Sequence, residues 1–201
     1  MEKPADNHHP IEETIRRRWS PRAFAETPVH NADLCSLFEA ARWAASSMNE
    51  QPWVYIAATR EDVETFEMLA GVLVPANYSW AKNASALALS IAKKTFSRDG
   101  SENPVARHDV GAASAQLTLQ AMTLGLFVHQ MGGFDKEKAR DIFQIPDDYE
   151  PVTVLAIGYP GISETLPENL REREHAPRVR KSLPEFVFRG EWAKSASFLE
   201  D

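Results

Sequence analysis

A chain of 201 residues, 43% hydrophobic and 25% charged, has the size of a single domain and enough apolar material for a sizeable core. Its 22 Lys+Arg against 29 Asp+Glu leave a formal charge of −7, which excludes a surface tuned as a whole to nucleic acid or anionic lipid but not a local basic site. One cysteine, Cys35, excludes a disulfide framework and a cysteine-based zinc site, so the cytoplasm is the expected compartment. No window approaches the roughly 18–20 apolar residues of a membrane span.

In chain order, Pro10 reads as the first residue of a helix running to about Arg18, where Trp19-Ser20-Pro21 interrupts it. Asn31 reads as the N-cap of the next helix, with Leu34, Leu37, Phe38, Ala41 and Ala45 at helical spacing. A strand follows over Trp53–Ala58, a helix over Glu61–Leu73 and a second strand over about Ala86–Ala92. After a polar, turn-rich stretch at 97–103, Val105–Leu124 reads as a long, largely buried central helix ended at Gly125. Leu126–Met131, Asp135–Phe143 and Pro151–Ile157 read as strand, capped helix and strand. The tail after Gly158 holds four prolines and no clear period, and an arm reaching over a partner subunit would give it a use. The whole, 1–201, reads as one domain, with 1–9 and the extreme C-terminus expected to be mobile.

Three clusters carry candidate chemistry. Arg16, Arg17, Arg18 and Arg22 lie within seven residues. Arg16 and Arg17 follow Glu12 and Glu13 by four positions and read as solvated ion pairs, whereas Arg18, Ser20 and Arg22 flank a helix break and suit a phosphate dianion. The stretch Ser46-Ser47-Met48-Asn49-Glu50-Gln51-Pro52-Trp53 is either ordinary turn chemistry or a set of amides and hydroxyls suited to a flat heterocycle with an imide edge. Gly132-Gly133 is either a tight turn or a place where backbone N–H groups approach a ligand closely. The six histidines show no metal-binding spacing, Cys35 has no basic activator nearby, and no serine-hydrolase elbow occurs. With no evident catalytic acid, base or nucleophile and no metal site, a cofactor is the expected bearer of the chemistry.

Taken together, Arg18-Trp19-Ser20-Pro21-Arg22-Ala23-Phe24, the run Glu39 to Trp53, and Met131-Gly132-Gly133-Phe134-Asp135 resemble the FMN-dependent nitroreductase family in order and spacing. The resemblance implies an α+β fold in which helices wrap a central, mainly antiparallel sheet. It also implies a homodimer with exchanged C-terminal arms and two FMN sites at the interface. By that resemblance Arg18 and Arg180, with Arg178, contact the FMN phosphate, and Trp19 and Ser20 line the same loop. Arg22 sits at the flavin edge that gathers negative charge on reduction. Ala45, Ser46, Ser47 and Asn49 reach the flavin from the other subunit, Gly132 and Gly133 present backbone N–H groups, and Asn77 bonds the pyrimidine edge. Ala45 stands where the family often has proline, and Trp80 near where some members carry a lysine facing the flavin. Residues 97–108 are expected to cover the substrate. The implied function is transfer of reducing equivalents from NAD(P)H through FMN to a small-molecule electron acceptor such as a nitroaromatic or quinone. The alternatives are an FMN-binding or sensing protein without turnover, and an unrelated acidic helical interaction protein.

Overall fold

Strands β1 (Trp53–Thr59), β2 (Ala86–Lys93), β3 (Phe127–Met131) and β4 (Tyr149–Gly158) form one sheet in the order β1-β2-β4-β3, with every pairing antiparallel. The computed structural model describes residues 1–199, so the expectation for the extreme C-terminus falls outside the described residues. β2 lies in the middle of the sheet and is buried on both faces, which is why its sequence is an almost unbroken apolar run. Its alternate side chains feed two cores. Leu87, Leu89 and Ile91 join Phe66, Leu69, Trp80 and Val154 on one side, while Ala86 and Ala88 join Leu37, Leu117 and Leu155 on the other. The register with β4 shifts between Ser90 and Ile91, where the buried Ser90 hydroxyl donates to Thr153 O at 3.0 Å and so spares an unpaired polar group in the core.

The helices are α1 (Glu13–Arg17), α2 (Asn31–Arg42), α3 (Val63–Gly71), α4 (Pro75–Ala81), α5 (Ala106–Thr123), α6 (Lys136–Phe143) and α7 (Glu168–His175). α5 is the spine of one layer. Val110, Ala113, Leu117 and Ala121 recur at helical spacing on its buried face, and α2 packs Leu37 and Ala41 into the same core. Just beyond the end of α5, Gly125 adopts φ +72°, the left-handed geometry of a helix stop. No helix among the described residues is long and apolar enough to cross a membrane.

Several expected boundaries move. Residues 10–12 are not helical, and α1 begins at Glu13 with Glu12 extended at ψ 142°. His30, not Asn31, is the N-cap of α2, because Asp33 N and Leu34 N both donate to His30 O. Ala45 lies beyond the end of that helix and is exposed. Two helices lie where the sequence carries no clear helical signal. α4 opens with Pro75 at its first turn inside a stretch that carries little periodicity. α7 lies in the proline-bearing tail and buries Leu170 and Glu174, four residues apart, on one face. Of the expected mobile N-terminus, Ala5 N donates to Arg16 O at 2.7 Å and Lys3 is bonded to residues near α7.

Candidate anion seat and ligand-approach loops

The end of α1 opens onto a basic cavity. Arg18 is the C-cap of α1 and leaves the helix at ψ 125°, so the following residues turn inward. Trp19 is buried and sets its ring edge-on to Phe127 at 6.1 Å, which fixes the loop against β3 and the end of α5. Arg18, Trp19, Ser20 and Arg22 then line a cavity of about 340 Å³ together with Lys3, Arg173, Arg178 and Arg180. Arg18, Ser20, Arg22, Arg178 and Arg180, far apart in sequence, are therefore brought together, and Lys3 and Arg173 join them. Arg18 Nη1 donates to Ser20 Oγ at 3.2 Å. Burial, and then the charges of Arg178 and Arg180, push the Arg18 guanidinium below its ordinary pKa, and burial followed by Arg173 does the same to Arg22. Such a field favours an anion. Trp19 Nε1 is a buried donor with no partner among the described residues, a second sign that the loop is built to bind something further.

Glu174 organises this set. It is 2% exposed and accepts from Arg22 N at 2.9 Å and Ala23 N at 3.1 Å, while its carboxylate lies 3.7 Å from Arg22 Nη1. α7 thereby pins the Arg-bearing loop from about 150 residues away. His129 of β3 pins it from below, with its Nδ1 2.8 Å from Pro21 O. Its pKa is lowered to about 4, chiefly by burial and further by Arg22, Arg18 and Arg173, so at neutral pH the ring is neutral and Nδ1–H donates to that carbonyl. Arg178 is divided between two tasks, since its Nη1 donates to Lys3 O at 2.6 Å and Arg16 O at 3.0 Å while the side chain also lines the cavity. Arg16 and Arg17 do not enter it. Arg16 pairs with Glu13 at 2.6 Å and Arg17 with Glu2 at 3.0 Å, rather than in the i,i+4 pairs expected with Glu12 and Glu13.

The Ser46–Gln51 loop lies elsewhere. Met48, Asn49 and Gln51 all have positive φ, at 55°, 56° and 53°, a strained run for residues with side chains. It is held in place by Ser47 N donating to the buried Asp109 carboxylate of α5 at 3.0 Å and by Gln51 N donating to Ser46 Oγ at 3.0 Å. Glu50 accepts from Ser97 N at 2.9 Å and Ser97 Oγ at 2.6 Å, which ties the loop to the turn at 97–103. Asp109 sits in the first turn of α5 and Met122, which packs on Trp19, in its last. At 1.5 Å per residue the two ends are separated by about 20 Å. Within one chain the strained loop and the basic cavity are thus not brought together.

Gly132 and Gly133 follow β3 and differ from one another. A Cβ on Gly132 would meet nothing within 4 Å, so its backbone is approachable, whereas one on Gly133 would come 2.7 Å from Asn77 Nδ2. Asn77 Nδ2 donates to Gly133 O at 3.0 Å, so this side chain fastens α4 to the glycine turn. Trp80 is not at a ligand-facing surface. It is 2% exposed and packs in the core between Phe24 and His129. The residues that sequence reasoning missed, Lys3, Arg173 and Glu174, lie in charged stretches whose partners are distant, and only the Leu170–Glu174 spacing signalled a buried face.

A layered α+β fold with an arginine-lined seat defines a class, and sequence comparison agrees on which. The model of the nitroreductase family matches residues 15–77 and 74–159, and the chain belongs to that family. It is 34% identical to a crystallised oxidoreductase containing FMN, covering 94% of this chain and 96% of that one with a TM-score of 0.89. A putative NADH dehydrogenase/NAD(P)H nitroreductase of Archaeoglobus fulgidus is 27% identical over 155 residues, 73% of this chain and 83% of its own length. An uncharacterized 15.4 kDa protein encoded in the ask 5′ region of Mycolicibacterium smegmatis is 42% identical over 132 residues, 64% of this chain and 85% of its own length.

Proposed function

We propose that this nitroreductase-family chain is a cytoplasmic FMN-dependent oxidoreductase that takes reducing equivalents from NAD(P)H and passes them to a small oxidised acceptor such as a nitroaromatic or quinone. The observation that carries the reading is the cavity itself. A chain of net charge −7 concentrates Lys3, Arg18, Arg22, Arg173, Arg178 and Arg180 around one buried loop and, among the described residues, sets one buried carboxylate, Glu174, against them. That surplus suits a phosphate monoester dianion, and the likeness to an FMN-containing oxidoreductase supplies the candidate.

Bound FMN would supply hydride acceptance and donation. The residues of this chain would bind and orient it. Arg18, Arg180 and Ser20 would hold the phosphate, and Trp19 would close the floor of that seat. Arg22, kept in place by Glu174, would set positive charge where electron density collects during reduction, an electrostatic role that needs no proton transfer by a side chain. Gly132 would let backbone N–H groups come close. Because the Ser46–Asn49 loop and the seat lie at opposite ends of α5, a ligand touching both, as Ala45, Ser46, Ser47 and Asn49 are expected to do, would take them from two copies of the chain. Such a site would require a homodimer.

The test is the visible spectrum of the purified protein and its response to nicotinamide cofactors without oxygen. Yellow protein that bleaches with NADH or NADPH and regains colour with a nitroaromatic or quinone supports the reading. Colourless protein that takes up no FMN on reconstitution overturns it.

A further inference from the structure

The segment preceding α1 is fastened to α1 and to Arg178 at the edge of the basic cavity. Ala5 N donates to Arg16 O at 2.7 Å, Glu2 pairs with Arg17 at 3.0 Å, and Arg178 Nη1 donates to Lys3 O at 2.6 Å. These three ties fix the main chain of residues 2–5 and aim the Lys3 side chain at the seat. There its ammonium donates to Glu174 O and Ala176 O and lies 5.1 Å from the centroid of the Trp19 ring. An ammonium carries three hydrogens, and two are used. Holding a lysine among arginines in this way is costly. Burial and the charges of Arg178 and Arg22 disfavour its protonated form, against which Glu174 offers one compensating charge. A clamp that merely joined two backbone carbonyls would not need to stand on the wall of a cationic cavity.

We propose that Lys3 is a direct ligand of the anion in this seat, so that the N-terminal strap supplies one charge of the phosphate-binding set. This rests on the reading of the cavity as the seat of the flavin phosphate. Residue 3 lies outside the stretch matched by the family model, which begins at residue 15. The third Lys3 hydrogen would point to a phosphate oxygen, and the dianion would relieve the like-charge repulsion among Lys3, Arg178 and Arg22.

The experiment compares the unaltered protein with Lys3→Met, which keeps a stem over Trp19, and Lys3→Arg, which keeps the charge. Each is titrated with FMN and with riboflavin, which lacks the phosphate, and melted in inorganic phosphate against chloride at equal ionic strength. Lys3→Met is expected to weaken FMN binding by about tenfold or more, to leave riboflavin affinity unchanged and to abolish the rise in Tm given by phosphate, with Lys3→Arg recovering most of both. Unchanged FMN affinity and an unchanged phosphate effect in Lys3→Met would overturn the assignment, as would equal losses of FMN and riboflavin, which mark a purely structural strap. If the unaltered protein binds no flavin but its phosphate effect vanishes in Lys3→Met, the flavin reading falls and the Lys3 assignment stands.

Discussion

Arg17 and Arg18 are neighbours in sequence with opposite surroundings. Arg17 is exposed and paired with Glu2, while Arg18 turns into the cavity under pressure from Arg178 and Arg180. A charge-assisted bond to phosphate contributes roughly 1.5–3 kcal/mol, so Arg18→Ala should weaken FMN retention about 10- to 100-fold and Arg17→Ala hardly at all. Equilibrium dialysis of the two variants checks this, and equal losses would show the cluster to be wrongly divided. His129 carries a second residue-scale expectation. Its folded pKa of about 4 lies below the ordinary 6.5, so the unfolded chain takes up a proton before the native one does. Its contribution is therefore complete above pH 6.5 and lost as pH falls from 6.5 toward 4, by roughly 3 kcal/mol in all. Urea unfolding of the unaltered protein should show this slope, and His129→Gln should flatten it. Identical pH profiles for the two proteins would count against the assigned shift.

At the scale of elements, the two glycines after β3 predict different outcomes. Gly133→Ala drives a methyl against Asn77 of α4 and should cost about 1–3 kcal/mol of stability. Gly132→Ala should unfold at the same denaturant concentration as the unaltered protein while weakening flavin binding. Chemical denaturation and flavin titration of the pair separate the roles. Elements were legible in the sequence where burial imposes a period or a continuous run. β1, β2 and α5 were located to within a residue or so because apolar runs and helical spacing mark them. α4 escaped because seven residues are too few to establish a helical period, and α7 because Leu170 is the one apolar residue among its eight. The site divided in the same way. Arg18, Ser20 and Arg22 were legible because the helix break and the charges are local. Glu174 was not, because its partners Arg22 and Ala23 lie more than 150 residues away and its sequence neighbours Arg173 and His175 make it look like part of a solvated charged helix.

For the whole molecule, the roughly 20 Å along α5 between the Asp109-anchored loop and the Trp19 seat make a specific claim about assembly. If each ligand takes its seat from one copy and its loop from another, a seat variant and a loop variant should complement. Arg18→Ala and Asp109→Leu, each poor in flavin alone, should recover about a quarter of the intact sites when unfolded together and refolded, since half of randomly formed dimers are mixed and each mixed dimer has one intact site. No recovery, with dimers present by light scattering, would place both elements in one chain's site.

Contacts of the Lys3 strap with the end of α7 and the segment after it span 171 to 175 positions of sequence, and Arg22 meets Glu174 across 152. Closing so long a loop costs chain entropy before any contact returns it, which places the seat among the last features to assemble. An anion that binds there stabilises the native state but not the folding transition state. Phosphate or flavin should accordingly leave the refolding rate untouched and slow unfolding, so that the ligand acts on this protein as a brake on its loss rather than as a template for its formation.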